Sequence, residues 1–215
     1  MDHTPALYVM LTQTGTGMGK LIRLLTHYEF NHVSVSLDPT FRNWVSFARY
    51  VRGVPLAGGF VKETPQRLLS AEGPLPVRIL RVDLSDELYQ EAARLVANAE
   101  QQAPLLIYNT LDALATVIGC RFPLPGVYTC LGFAELLLDK QYATIRMLNE
   151  DLKDSMVYEG NLKELLGGTT PGDDPYFVKQ GILGGTRDTL VHFARLIGRF
   201  LHRSSYEDPL IVQSP

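Results

Sequence analysis

Cysteine, tryptophan and charge of one sign are all scarce in this chain. It carries two cysteines and one tryptophan in 215 residues, too few thiols to staple a fold of this size with disulfides. Twenty Lys and Arg stand against 23 Asp and Glu, a formal net charge of −3. No global field therefore draws the molecule to nucleic acid or to anionic lipid. A membrane-spanning helix needs ~20 apolar residues, and the best apolar stretch, 104–120, is broken by Asn109, Thr110, Asp112 and Thr116. No Lys or Arg precedes the short apolar run 6–11, so a secretory leader is not expected and a cytoplasmic protein is. What the chain does hold is a hydrophobic fraction of 46% beside a charged fraction of 20%. That is enough apolar surface for one core, and it excludes a disordered or coiled-coil chain.

Residues 6–12 are apolar and partly β-branched and run into Gly15, Gly17 and Gly19; helical spacing follows through Leu21, Leu24 and Leu25. Strand, flexible turn and helix are expected. Residues 32–37 alternate strictly, which predicts a strand with Val33, Val35 and Leu37 on a dry face and His32, Ser34 and Ser36 on a polar one. After a turn at Asp38 and Pro39, residues 43–49 return as its hairpin partner, with Trp44, Ser46 and Ala48 sharing a face. Residues 60–64 and 77–83 add strands to a mostly antiparallel sheet. Ser85 is placed to cap a helix ending at Gln101. Residues 105–119 read as a short strand or turn entering a buried helix, and Cys120 at the end of that run as a buried, inert thiol. A turn through Pro123, Pro125 and Gly126 leads into a helix that Cys130 opens and that runs to Lys140.

Beyond Gly160 the chain turns loop-rich (Gly167, Gly168, Pro171, Gly172, Asp173, Asp174) before a helical pattern over 186–203. There Asp188, His192, Arg195, Arg199 and His202 form a stripe opposite Leu190, Val191, Phe193, Ala194, Ile197 and Leu201. This amphipathic helix is expected to pack on the body or on a second copy of the chain, which makes a homo-oligomer the partner expectation. The element order predicts α+β: a single domain over 1–215, with a core of about 1–166 and a helical extension over about 167–215.

Two familiar sites are excluded by spacing. The glycines before Lys20 lack a glycine at Thr14 and a Ser or Thr at Leu21, so they are not a phosphate loop, and Lys20 occupies the third glycine of a dinucleotide fingerprint. His27 and His32 are not at metalloprotease spacing. No metal or organic cofactor is expected.

Cys130 and His32 carry chemistry instead. A thiol at a helix N-terminus meets unpaired backbone N–H groups and the positive end of the helix dipole, which favour thiolate. The Cys130 N–H can also face the oxygen of an attacked carbonyl, and Tyr128 can add a phenolic donor beside the substrate. His32, on the polar face of its strand, is the group that can take and return a proton near neutral pH. The bland alternative is a buried cysteine and an unrelated surface histidine.

The segment Asn31-His32-Val33-Ser34-Val35-Ser36-Leu37, followed by Tyr128-Thr129-Cys130-Leu131-Gly132-Phe133-Ala134-Glu135-Leu136-Leu137, resembles the circularly permuted branch of the papain-like, NlpC-type cysteine hydrolases. In that branch the histidine strand precedes the cysteine helix. The resemblance spans roughly the first 140 residues, including Leu106-Ile107-Tyr108-Asn109. It implies a permuted papain-like fold with an antiparallel sheet packed against helices. It further implies an amidase- or peptidase-like thiol hydrolase, with Cys130 as nucleophile and His32 as base, acting on a small amide, peptide or acyl substrate. Such families usually add a third polar residue on the strand after the histidine. Here that strand offers Ser46, which would accept the Nδ1 proton without supplying charge; Glu63 on the next strand is the fallback. A thiol acyltransferase and a non-catalytic binding module of the same fold are the alternatives.

Overall fold

The structure, a computed structural model, describes residues 4–14, 17–54, 56–68, 75–115, 120–166, 174–178 and 182–211. In chain order these form β1 (Ala6–Thr12), α1 (Gly17–Thr26), β2 (His32–Ser36), β3 (Trp44–Arg49), β4 (Gly58–Glu63), α2 (Pro65–Leu68), β5 (Pro76–Asp83), α3 (Asp86–Gln101), β6 (Ile107–Tyr108), α4 (Thr110–Ala115), β7 (Val127–Tyr128), α5 (Cys130–Leu138), α6 (Ile145–Leu152), β8 (Met156–Asn161), α7 (Leu162–Leu165) and α8 (Ile182–Leu201). The architecture is α+β. A sheet of order β4-β3-β2-β1-β5-β8 is antiparallel at every pairing, and β6 and β7 form a separate parallel pair.

Period-2 side chains give the sheet two faces. On one, Val9, Val33, Val35 and Phe47 pack beneath Leu95 of α3 and Phe133 and Leu137 of α5. Phe47 and Phe133 have ring centroids 5.2 Å apart, and Phe60 lies 5.8 Å from Phe133. The other face gathers Met10, Trp44, Val77 and Ile79 with Leu162. Ser85 caps α3 as expected, its hydroxyl accepting from the Leu88 N–H. Gly59 sits where β4 passes the β6 segment: a Cβ there would lie 2.9 Å from the Leu106 carbonyl oxygen, so only glycine allows that approach.

Several expectations need correction. β2 is buried on both faces, His32, Ser34 and Ser36 included, because the second face is itself covered. Gly17 and Gly19 belong to α1 rather than to a flexible turn; Gly15 lies outside the described residues, as do Gly167, Gly168, Pro171, Gly172 and Asp173. Of the run 105–119, the described part passes from the short strand β6 into the helix α4, which is only partly buried, and 116–119 lie outside the described residues. Leu111 and Leu114 of α4 are exposed, and so is Cys120. β8 is an additional edge strand. Its side chains are exposed or half-buried throughout, so no apolar alternation marks it in the sequence.

The largest reversal concerns α8. Of its polar stripe His192 and Arg199 are buried, though His202 is exposed. Leu190, Val191, Phe193, Ile197 and Leu201 of the opposite stripe are exposed, whereas Leu196, between the stripes, is buried against Ile107 and Val127. The cause lies in what the body presents. The segment around the 103–105 turn offers carbonyl oxygens that lack intrachain ladders, and buried carbonyls need donors. Arg195 donates to the Pro104 carbonyl at 2.7 Å, Arg199 to that of Leu105 at 2.8 Å, and His192 Nε2 lies 3.1 Å from that of Tyr108. Among the described residues no helix is long and apolar enough to cross a membrane.

These placements predict opposite outcomes for two truncations. Phe133→Ala, emptying the fully buried aromatic cluster, is expected to cost about 3–5 kcal/mol in urea unfolding. Leu190→Ala, on the exposed face of α8, is expected to change stability by less than about 0.5 kcal/mol.

Candidate active site

The site is built where α5 begins. Thr129, in extended conformation, caps the helix: its hydroxyl accepts from the Gly132 N–H at 2.9 Å and its carbonyl from the Phe133 N–H. Cys130 and Leu131 thus occupy the first two helical positions, whose N–H groups have no intrahelical acceptor. The helix rests on β2 and β3, which brings its N-terminus to the start of β2. It is held along its length by buried Glu135, paired at 2.7 Å with Arg121, whose guanidinium also reaches Asp112 at 3.3 Å and the Tyr142 carbonyl at 2.8 Å.

At that junction the structure brings Cys130 close enough to His32 that the cysteine raises the pKa of the ring. His32 Nε2 lies 2.8 Å from Glu63 Oε1, which leaves Nδ1 for the sulfur. The second Glu63 oxygen accepts from the Ser34 hydroxyl. His32 and Glu63 are 7% and 4% exposed, so this is a buried ion pair. Burial is the strongest single influence on His32 and pushes its pKa down. The Glu63 charge, the neighbouring Cys130 and the hydrogen bond with Glu63 outweigh it, and the pKa is raised to about 10. Glu63 is pulled the other way: burial would raise it, but the His32 charge and hydrogen bond, Arg67 and Ser34 hold it below the usual carboxylate range. At neutral pH the ring is an imidazolium beside a carboxylate.

Two other sequence-predicted residues lie elsewhere. Ser46 does not meet the imidazole; its hydroxyl donates to the Val33 carbonyl at 2.6 Å. The oxygen on the ring belongs to Glu63, the fallback, and it binds Nε2 rather than Nδ1. Tyr128 does not offer its phenol to the sulfur: the hydroxyl donates to Asp208 at 2.7 Å, and burial, then that carboxylate, raise its pKa strongly. The tyrosine at the site is Tyr108, paired with Tyr128 across the β6–β7 ladder. Its phenol has no hydrogen-bond partner among the described residues, and burial, then the neighbouring Cys130, raise its pKa, so it stays a donor. Only its position in the Leu106–Asn109 segment of the resemblance hinted at it.

Two cavities meet here. One, of about 280 Å³, is lined by Cys130 together with Ile22, Leu25, Phe30, Leu131 and Ile145, and has Thr26, Thr144 and Arg146 at its polar side; Tyr28 enters it with a buried hydroxyl that has no partner among the described residues. The other, of about 100 Å³, is lined by His32 and Glu63 with Arg49, Arg52, Arg67 and Tyr176. Ile22, Asn31 and Tyr108 border both. Among the described residues no cluster of three or more His, Cys, Asp or Glu is placed to hold a metal ion. No protein-family model, curated protein or solved structure matches the chain.

The ion pair predicts a pH signature. His32, raised from its ordinary 6.5 to about 10, contributes stability that is complete below pH 6.5 and lost as pH rises through 10. Glu63, lowered from 4.5, contributes stability that is present above pH 4.5 and lost as pH falls through its lower folded value. Glu63→Gln is therefore expected to cost roughly 3 kcal/mol near pH 6, with the gap in melting temperature to the wild type closing toward pH 10. Ser46→Ala is expected to cost about 1 kcal/mol with no such pH dependence.

Proposed function

We propose that this chain is a cysteine-dependent hydrolase of the permuted papain-like type, cleaving an amide or ester through an acyl-enzyme. The observation that carries this reading is the buried grouping of Cys130, His32 and Glu63, in which a carboxylate holds one nitrogen of the ring and the cysteine lies near enough to shift its pKa. A carboxylate fixes the ring's orientation and compensates the imidazolium that must form, the role a third polar residue plays in acyl-transfer triads. The binding-module alternative rested on an uncharged serine in that place; the position of Glu63 favours the hydrolase reading over it.

The chemistry follows from the protonation state. With His32 charged, the Cys130 thiolate attacks the carbonyl carbon, forming the S–C bond and moving the carbonyl electron pair onto oxygen. The free N–H groups of Cys130 and Leu131 and the Tyr108 phenol face that developing oxyanion. Collapse of the intermediate breaks the C–N or C–O bond, and the leaving nitrogen or oxygen takes the His32 Nδ1 proton. Neutral His32 then removes a proton from water, the hydroxide displaces the thiolate from the thioester, and the carboxylic acid leaves. Because the proton is delivered from the His32 side, the leaving group lies toward the smaller cavity and the acyl group toward the larger one beside Cys130. The aliphatic and aromatic residues there suit a hydrocarbon acyl group, and they equally suit an acyltransferase in which another nucleophile replaces water.

Labelling by a peptidyl or acyl vinyl sulfone tests this reading, in a Cys120→Ser background because Cys120 is exposed. Modification confined to Cys130 is expected, absent in Cys130→Ala and slowed about 100-fold or more in His32→Ala. A Cys130 that reacts no faster than a free thiol, or at a rate indifferent to His32, would refute it.

A further inference from the structure

Among its described lining residues, the cavity on the Glu63 side of His32 carries more positive charge than negative. Arg49, Arg52 and Arg67 all line it, yet none forms an ion pair among the described residues. Glu63 is the only carboxylate among the described lining residues, and both its oxygens are taken by His32 and Ser34. Two of the guanidiniums, those of Arg67 and Arg49, are held in place by neutral groups. Arg67 donates to the Arg49 carbonyl and stacks over Tyr176, its Cζ 4.4 Å from the ring centroid; Arg49 donates to the Tyr176 hydroxyl at 3.2 Å. The Tyr176 backbone is tied down as well, its carbonyl accepting from the Arg52 N–H at 2.8 Å and its N–H donating to Asp174. The Arg52 guanidinium has no hydrogen bond among the described residues. An aromatic ring and backbone carbonyls orient an arginine without cancelling its charge, and an oriented, uncancelled guanidinium is a fork for an oxyanion.

We propose that this cavity is an anion subsite for the leaving group. The bond cleaved would join an apolar acyl group to an amine or alcohol that itself bears a carboxylate or phosphate. Which side of the scissile bond enters the cavity rests on the hydrolase reading above; the anion preference does not. At about 100 Å³ the space admits one small charged group, while the cavity beside Cys130, at about 280 Å³, is the roomier one. When the C–N or C–O bond breaks, the leaving atom takes the His32 proton and the product departs as a neutral amine or alcohol still carrying its anion. The arginines take part in no bond change; they fix the leaving atom against Nδ1, and proximity of this kind accounts for large rate factors.

The test uses full-length Cys130→Ala protein, so that binding is read without turnover, and three ligands that share one acyl chain: N-decanoylglycinate, N-decanoyl-phosphoethanolamine and the neutral N-decanoylglycinamide. Calorimetry is expected to give a Kd at least tenfold lower for one or both anions than for the amide, and the tighter anion identifies carboxylate or phosphate as the natural group. Arg52→Gln, which disturbs no side-chain contact, is expected to reduce that preference about threefold or more. Arg67→Gln is expected to abolish it, with Arg67→Lys restoring part. Equal affinities for anion and amide, no binding of any ligand, or a preference unmoved by these substitutions would overturn the proposal. Hydrolysis of the same ligands by wild type is scored separately. Anion preference without turnover would leave the subsite standing and remove the hydrolase reading.

Discussion

The buried contact between His32 and Glu63 is the constraint to which the rest of the site answers. Two charges 2.8 Å apart gain on the order of 5 kcal/mol at an effective dielectric of about 20, against a desolvation cost of several kcal/mol for each ion. The pair is close to break-even as a source of stability, so it needs every hydrogen bond it has. Ser34 satisfies one Glu63 oxygen and His32 the other, and Cys130 lies near the ring. The remaining structure keeps those groups in register. β3 lies between β2 and β4 and sets the spacing across which Glu63 reaches His32 and Ser34, and α5 lies across β2 and β3 so that its first residue arrives at the ring. A pair so weakly rewarded in stability is explained by the charge state it imposes on the imidazole.

Local signals made much of this legible. The alternation around Val33 and Val35, the Ser85 cap and the turn leading into the helix that Cys130 opens are properties of adjacent residues, and each element stands where its pattern puts it. What the sequence hides are choices between equivalents. Ser46 and Glu63 are both polar residues on strands after His32 and both lie on its face; the Ser46 hydroxyl is taken by the Val33 carbonyl, and the longer Glu63 side chain, paired opposite Trp44, reaches the ring. Tyr108 and Tyr128 stand opposite each other in a two-residue ladder, and the one that faces the sulfur is decided by Asp208, eighty residues away, capturing the other phenol. Helical spacing likewise divides α8 into two stripes without saying which stripe the body will take. Unpaired carbonyls at Pro104, Leu105 and Tyr108 made that choice, against the usual rule that the apolar stripe turns inward.

The two cavities differ in their lining, as the proposed acyl transfer would require. A thiolate and an acid must address opposite sides of one bond, so a site that reads its substrate places different chemistry beyond each. Beyond Cys130 the lining is mixed, with aliphatic and aromatic residues beside threonines and Arg146; beyond His32 three arginines gather. Tyr108, Asn31 and Ile22 border both and mark where the scissile carbonyl would sit. Asn31 is itself fixed, its amide donating to the Thr14 hydroxyl and its carbonyl accepting from the Thr14 N–H, so the strand-to-helix connection ahead of α1 is tied to the rim of the site.

The extension after residue 166 is part of the site rather than an appendage to it. Tyr176 orients two of the three arginines, His192 of α8 bonds the backbone of Tyr108, and Asp208 binds both the Tyr128 phenol and the Gly126 N–H. Leu210 is wholly buried in the main core. The β6–β7 pair, which carries Tyr108 and leads directly into Cys130, has only two residues in each strand. So short a ladder is marginal alone. Its position is set by the donors and carboxylates that the C-terminal segment brings back across the chain, and through it that segment governs where the sulfur and the phenol stand.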